Sequence, residues 1–244
     1  MRLDQHLVTE GLAKSRARAR TLIEAGYVLV DGRAVTKCSF TLPDGAVVTL
    51  TAADDVYVSR AAHKLLELLN ETNLSVADTT VLDLGASTGG FTQVCLEKGA
   101  QKVYAVDVGT GQLDADLAEQ ENVLNMERTD GRNLTADMFT AAPPTVLVSD
   151  VSFISLTKVL PAVFAACQQL EQLGLLVKPQ FELQPADIGK GGLVKDPAKH
   201  QQACESVQRC VEAHGFTVQR MLESPIKGSD GNIEFLLYAT RQGY

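Results

Sequence analysis

The sequence predicts an α/β domain built on a mostly parallel sheet with helices on both faces, preceded by a small α+β domain. Three observations carry that prediction. From about residue 80 onward, apolar strand-like runs alternate with helical patterns, the signature of βαβ units. The run Thr80-Val81-Leu82-Asp83-Leu84 ends in an acid and breaks into Gly85, Gly89 and Gly90, as a buried strand delivering a ligand loop does. Ahead of it, residues 1–51 read as two short helices and a few short strands separated by turn residues.

The elements follow in order. Leu3, Leu7 and Val8 lie at helical spacing and Gly11 ends that segment. Ser15 is placed to cap a second helix whose buried side carries Leu22 and Ile23, with Gly26 as its stop. Tyr27 to Val30 reads as a strand, Asp31-Gly32 as a hairpin turn and Arg33 to Lys37 as the return. Pro43-Asp44-Gly45 makes another turn before a strand over 46–51. A Leu-rich helix holds Lys64 near its start, and strands are expected at 80–85, 102–107, 123–127, 145–150, 173–178, 216–222 and 233–240. Asp196-Pro197 opens the last long helix and Gly215 closes it.

Composition narrows the classes. The chain has 244 residues, 45% of them hydrophobic and 21% charged, enough for a full α/β core and unlike a disordered chain. No apolar run approaches the ~20 residues of a membrane span, and the charged start Met1-Arg2-Leu3-Asp4 carries no secretory signal. The five cysteines lack Cys-x-x-Cys spacing, so free thiols in the cytoplasm are expected, with no metal. Net charge is −8, but residues 1–64 hold nine basic against seven acidic side chains, +2, which leaves −10 for the rest. Any phosphate contacts are therefore expected mainly in the N-terminal piece, where Arg16 and Arg20 share a helix face with Lys14 and Arg18 nearby. A solvated helix face is the other reading of the same run.

Four acids fall at successive strand ends: Asp83, Asp107, Asp130 and Asp150. Ligands of doubly wound sheets sit there, and Asp107 is placed to accept from both hydroxyls of an adenosine ribose, Asp130 to reach the adenine edge. The glycine loop is neither Gly-x-Gly-x-x-Gly nor a phosphate-binding Gly-x-x-x-x-Gly-Lys-Ser/Thr. An acid-rich cleft suits S-adenosylmethionine, with its ribose, adenine, amino group and sulfonium, better than a polyphosphate. The cofactor set is Asp83, Gly85, Ala86, Ser87, Thr88, Gly89, Gly90, Phe91, Asp107 and Asp130. The fourth strand is followed by Ser149-Asp150-Val151-Ser152-Phe153, which has neither the Asn/Asp-Pro-Pro-aromatic loop of amino methylation nor the Pro-Cys of C5 methylation. Lys178 instead ends the fifth strand, and Glu234 lies in an apolar final one. With Lys64 and Asp150 these form a candidate ion network: Lys178, beside a second cation and of depressed pKa, takes the proton of a ribose 2′-OH, Asp150 orients it, and Lys64 with Glu234 fixes the network. Taken singly, Glu234 also reads as an edge-strand acid facing water and Lys64 as a surface lysine.

Two resemblances sharpen this. Arg2-Leu3-Asp4, Gly11-Leu12-Ala13-Lys14-Ser15-Arg16, Ala19, Leu22-Ile23, Gly26, Val28, Gly32, Val35 and Lys37 resemble the S4 RNA-binding domain. The order Lys64, Asp150, Lys178, Glu234 resembles the ribose 2′-O-methyltransferases of the FtsJ type. With Tyr57 to Leu65, Asp83 to Thr92, Ser149 to Leu156, Lys178-Pro179-Gln180-Phe181-Glu182 and Ser229 to Leu236, the whole chain resembles the TlyA/haemolysin A family. That resemblance implies a Rossmann-like class I methyltransferase fold with seven mostly parallel strands, the last antiparallel. It also implies 2′-O-methylation of cytidine in ribosomal RNA of the small and sometimes the large subunit. The implied division is an S4-like domain over 1–56, a linker over 57–62 and a methyltransferase domain over 63–244. Lys14, Arg16, Arg18, Arg20, Arg60, Lys190 and Lys195 would contact RNA, the last two from a mobile basic loop over 187–196, and the protein is expected to be a monomer. A cytolysin, after the family name, and a non-catalytic ribosome-assembly factor are the competing readings.

Overall fold

In a computed structural model the chain is described at all residues except 14, 15, 25, 52–56, 141, 229, 242 and 244. The expected cap at Ser15 and the RNA contact at Lys14 lie outside the described residues. Two compact units divide between Ala62 and His63.

The first unit packs helices α1 (Leu3–Thr9) and α2 (Arg16–Glu24) with a three-stranded antiparallel sheet of order β2-β1-β3, from β1 (Val28–Val30), β2 (Arg33–Ala34) and β3 (Val48–Leu50). Leu3, Leu7, Ile23 and Val28 are fully buried. Asp31 and Gly32 both have positive φ, 50° and 76°, the conformation a two-residue hairpin turn requires. The return strand is shorter than the 33–37 expected. Beyond Val35 the chain leaves the hairpin and instead bonds the start of α1, with Leu3 N–H donating to Phe40 O at 2.8 Å and Leu42 N–H to Met1 O at 3.0 Å.

The second unit has a seven-stranded sheet of order β6-β5-β4-β7-β8-β10-β9. Its strands are β4 (Thr80–Leu84), β5 (Lys102–Val106), β6 (Val123–Met126), β7 (Val146–Ser149), β8 (Gln172–Val177), β9 (Phe216–Glu223) and β10 (Phe235–Arg241). β4 to β8 pair in parallel, and β10 runs antiparallel to both of its neighbours. Each expected strand is found within two residues of its predicted ends. Helices α3 (Ala61–Glu71), α4 (Gly90–Glu97), α5 (Ala115–Ala118), α6 (Leu156–Ala166), α7 (Pro179–Glu182) and α8 (Pro197–Ala213) connect or flank them. Asp196 caps α8 by accepting from Ala198 N–H, Pro197 opens it, and Gly215 follows at φ 85°.

The main core joins one face of the sheet to α6 and α8 through Leu84, Leu147, Val159, Leu160, Val163 and Val207. Sheet order sets where a ligand can lie. The chain runs outward from β4 to β5 and β6, then returns to the other side of β4 at β7, so a crevice opens beyond the carboxyl ends of β4 and β7.

Candidate active site

That crevice is a cleft of about 830 Å³, walled among others by Gly85, Ser87, Asp107, Asp130 and Asp150. Gly85 has φ +86°, and a Cβ on it would stand 2.9 Å from the Asp150 carbonyl, so only glycine lets the β4 exit pass the β7 exit this closely. Asp107 shapes the loop as well as facing the cleft: it accepts from Ser87 N–H at 2.8 Å and Gly109 N–H at 2.7 Å. Asp130 accepts from Arg132 N–H at 2.9 Å and pairs with its guanidinium, which holds the carboxyl below the usual range.

Asp83 behaves differently from the expected cofactor contact. A strand alternates its faces: Leu84 points into the α6 core, so Asp83 points to the α4 side, fully buried, accepting from the Thr92 hydroxyl at 2.6 Å. Burial pushes its carboxyl up to about 7, with Asp150 and Asp107 adding to the effect. Ala86, Thr88, Gly89, Gly90 and Phe91 likewise do not form the cleft wall; Ala86 packs on Ala105 and Val123, and Gly89, at φ 97°, starts α4. Their contribution is the shape of the loop, while Gly85, Ser87, Asp107 and Asp130 face the ligand space.

The four proposed reacting residues come together as two ion pairs. Lys178 Nζ lies 2.6 Å from Asp150 Oδ1, at an angle that makes it an ion contact, and donates to Ser152 Oγ at 2.7 Å. Lys64 Nζ, on α3, donates to Glu234 Oε2 at 2.5 Å, both side chains nearly enclosed. Register explains the second pair's place: Phe235 faces Val177 across β10 and β8, so Glu234, just before β10, falls opposite Lys178, just after β8, at the strand ends inside the sheet. Glu234 is therefore not an edge acid facing water, nor Lys64 a surface lysine; they are 3% and 7% exposed. The direct partners of Lys178 are an acid and a hydroxyl, and Lys64, the expected second cation, is itself paired with Glu234.

Two aromatic residues were not singled out from sequence. Phe153 is 91% exposed at the cleft wall with φ +65°, a strained conformation for a bulky residue, and its ring lies 5.3 Å from that of Phe181. Their only trace in the sequence is membership of the segments around Asp150 and Lys178, since an irregular loop has no periodicity to read.

The proposed RNA contacts are scattered in their commitments. Asp4, buried, accepts from Arg2 at 2.9 Å and Arg16 at 2.8 Å, and those hydrogen bonds hold its carboxyl at about 2. Arg16 is thus also a structural partner, and Arg20 stands 4.0 Å from Glu24. Arg18 lies on α2, and Arg60, Lys190 and Lys195 are exposed. The 187–196 segment, expected to be a mobile basic loop, is instead anchored and has as many acids as lysines. Asn232 accepts from Val194 N–H at 2.8 Å and donates to Gly192 O at 2.9 Å, His200 bonds Val194 O at 2.8 Å, and Lys199 pairs with Asp187 at 2.8 Å.

A parallel sheet closed by an antiparallel strand, with a glycine-lined crevice, strand-end acids and buried Lys-Asp and Lys-Glu pairs, defines a Rossmann-like class I methyltransferase. The chain belongs to the FtsJ-like methyltransferase family, whose model matches residues 57–241, and an S4 domain matches residues 1–48. Within it the chain is 40% identical to the 16S/23S rRNA (cytidine-2′-O)-methyltransferase TlyA of Mycobacterium tuberculosis, over 99% of this chain and 90% of that one. It is also 40% identical to Hemolysin A of Brachyspira hyodysenteriae, over 98% and 99% of the two chains. A solved structure described as a hemolysin, from Streptococcus thermophilus, superposes with a TM-score of 0.77 at 39% identity, covering 100% of this chain and 89% of that one. This places the chain in the TlyA/haemolysin A branch.

The family's methyl donor is S-adenosylmethionine. The residues present fit it. Of the three wall carboxylates, Asp130 is paired with Arg132 and Asp150 with Lys178, while Asp107 accepts from backbone N–H groups and faces the cleft, an acceptor suited to ribose hydroxyls. Among the described residues there is no cluster of metal-ligating side chains and no helix long and apolar enough to cross a membrane.

Proposed function

We propose that the protein transfers a methyl group from S-adenosylmethionine to the 2′-hydroxyl of a cytidine ribose in ribosomal RNA of the small subunit, and in some contexts the large one. The observation that carries this reading is the Lys178–Asp150 pair beside the cleft, with Lys64–Glu234 at the same end of the sheet. The names of the Mycobacterium tuberculosis and Campylobacter jejuni relatives, both cytidine-2′-O-methyltransferases of rRNA, support the substrate.

S-adenosylmethionine supplies an activated methyl on its sulfonium, so the protein must align the acceptor and receive its proton. Asp107 would accept from the ribose hydroxyls of the donor and Asp130 would bound its adenine, while Gly85 and Ser87 line the loop that the other residues from Asp83 to Phe91 shape. Asp150 would orient the acceptor hydroxyl, and Lys178 in its neutral amine form would receive the proton and so become the ammonium that pairs with Asp150; the two act as one coupled unit. Lys64 and Glu234 hold the adjoining strand ends. Phe153 offers a flat apolar surface on which an unstacked base can lie. The S4-like domain over 1–56, joined through residues 57–62 to the transferase domain over 63–244, contributes phosphate contacts through Lys14, Arg16, Arg18 and Arg20, with Arg60 of the linker and Lys190 and Lys195 adding to them. The protein works as a cytoplasmic monomer on ribosomal subunits.

The test is transfer of tritium from labelled S-adenosylmethionine to 30S, 50S and free rRNA, followed by mapping of the methylated ribose. Incorporation at a cytidine 2′-oxygen is expected. Absence of incorporation into any of the three, by protein that binds the cofactor, refutes the reading.

A further inference from the structure

Glu182 ends α7, four residues beyond Lys178, and its carboxylate crosses to the segment that follows β7. Oε1 accepts from Leu156 N–H at 2.8 Å and Oε2 from the Ser155 hydroxyl at 2.5 Å. Both donors belong to the start of α6. Free N–H groups and the helix dipole favour an anion there, yet Ser155 already caps α6 by accepting from Thr157 N–H at 3.1 Å. An acid drawn from another strand exit is not needed to form that helix. It also carries a cost, since burial raises its carboxyl above the usual range.

What Glu182 joins are the two segments that carry the reacting groups. The β7 exit holds Asp150, Ser152 and Phe153 and closes at Ser155; the β8 exit holds Lys178 and Phe181 and closes at Glu182. Lys178 spans them at one end, through Asp150 and Ser152, and the Phe153 and Phe181 rings meet between. Glu182 fastens the other end. A bulky residue at φ +65° persists only where its surroundings over-determine it, and Phe153 lies between the two fastenings.

We propose that Glu182 is a positioning residue of the transfer reaction, clamping the β7 exit to the β8 exit so that Asp150 keeps its geometry with Lys178 and Phe153 stays at the cleft. The inference rests on the methyltransferase reading above.

The experiment uses the full-length protein with ribosomal subunits, measuring kcat, KM for subunits, S-adenosylmethionine Kd by calorimetry, and thermal unfolding. Glu182→Ala should lower kcat at least tenfold with cofactor Kd and subunit KM within twofold of wild type. Glu182→Gln should restore most of kcat, because its amide oxygen can accept from Leu156 N–H while its NH₂ donates to Ser155 Oγ. A folded Glu182→Ala with wild-type kcat overturns the clamp, as does a Glu182→Gln as impaired as Glu182→Ala. Should Glu182→Ala not fold, Ser155→Ala takes its place: a severalfold lower kcat at unchanged cofactor Kd supports the clamp, and an unchanged kcat overturns it. A wild-type protein that binds cofactor but methylates no rRNA defeats the functional reading and the clamp with it, whereas an active wild type with an indifferent Glu182→Ala defeats the clamp alone.

Discussion

Replacing Lys178 by alanine tests the centre of the site. Lys178 Nζ stands 2.6 Å from Asp150 Oδ1 and 2.7 Å from Ser152 Oγ. Its loss removes the proposed proton acceptor, a contribution of about 10²–10⁴-fold, or roughly 3–5 kcal/mol in the barrier. It also leaves Asp150, whose side chain is only 15% exposed, without its counter-ion. Breaking an enclosed pair from one side costs about 3–5 kcal/mol when burial is complete, and the partial exposure of Asp150 reduces that figure. Lys178 is not part of the cleft wall, so cofactor affinity should change little. The assay pairs single-turnover methyl transfer to ribosomal subunits with calorimetric titration of S-adenosylmethionine. The double substitution Lys178→Ala with Asp150→Asn should be barely worse than Lys178→Ala alone, since the two residues act together. Lys178→Ala retaining more than a tenth of wild-type rate would refute the assignment, and a large loss of cofactor affinity would move Lys178 into the donor subsite.

Three further outcomes are expected. Gly228→Ala would set a Cβ 2.6 Å from Glu234 Oε1 and 2.8 Å from Asp230 Oδ1; the enclosed Glu234 carboxylate, whose other oxygen holds Lys64, must turn to make room, lowering kcat and costing about 1–3 kcal/mol of stability, and a wild-type melting curve with full activity contradicts this. For Asp83 the folded carboxyl is raised to about 7 from an ordinary 3.8, so wild-type stability is fullest below the lower value and falls as pH rises through the upper one. Asp83→Asn, which does not titrate, should therefore gain on wild type above pH 7 and match it near pH 4, as urea unfolding at each pH would record; parallel profiles refute the raised pKa. Arg16→Ala with Arg20→Ala should weaken subunit binding and flatten its dependence on salt, and because Arg16 also bonds buried Asp4, amide exchange should rise in residues 1–48. An unchanged salt slope returns both arginines to a solvated helix face.

The alternation of apolar runs and the placement of glycines were enough, by themselves, to determine the element order, the strand positions and the acids at strand ends. Each of those features is a local property of period and turn chemistry. Hairpin residues Asp31-Gly32, the capped start of α8 at Asp196-Pro197 and the strand-end acids Asp107 and Asp150 belong to this class. Lys64, Asp150, Lys178 and Glu234 could be named in order, with Asp150 set beside Lys178 and Lys64 with Glu234. Only the tertiary structure supplied the direct contacts, Lys64 bonding Glu234 across 170 positions and Lys178 pairing with Asp150 and Ser152. The pairing follows from β10 inserting antiparallel between β8 and β9, which no local pattern states. It also turned Asp83 away from the cleft that Asp107 faces, because neighbouring positions on a strand look to opposite sides of the sheet. The anchored segment at 187–196, the commitment of Arg16 to Asp4 and the strained Phe153 are of the same kind: each depends on a partner brought close by the fold rather than by the chain.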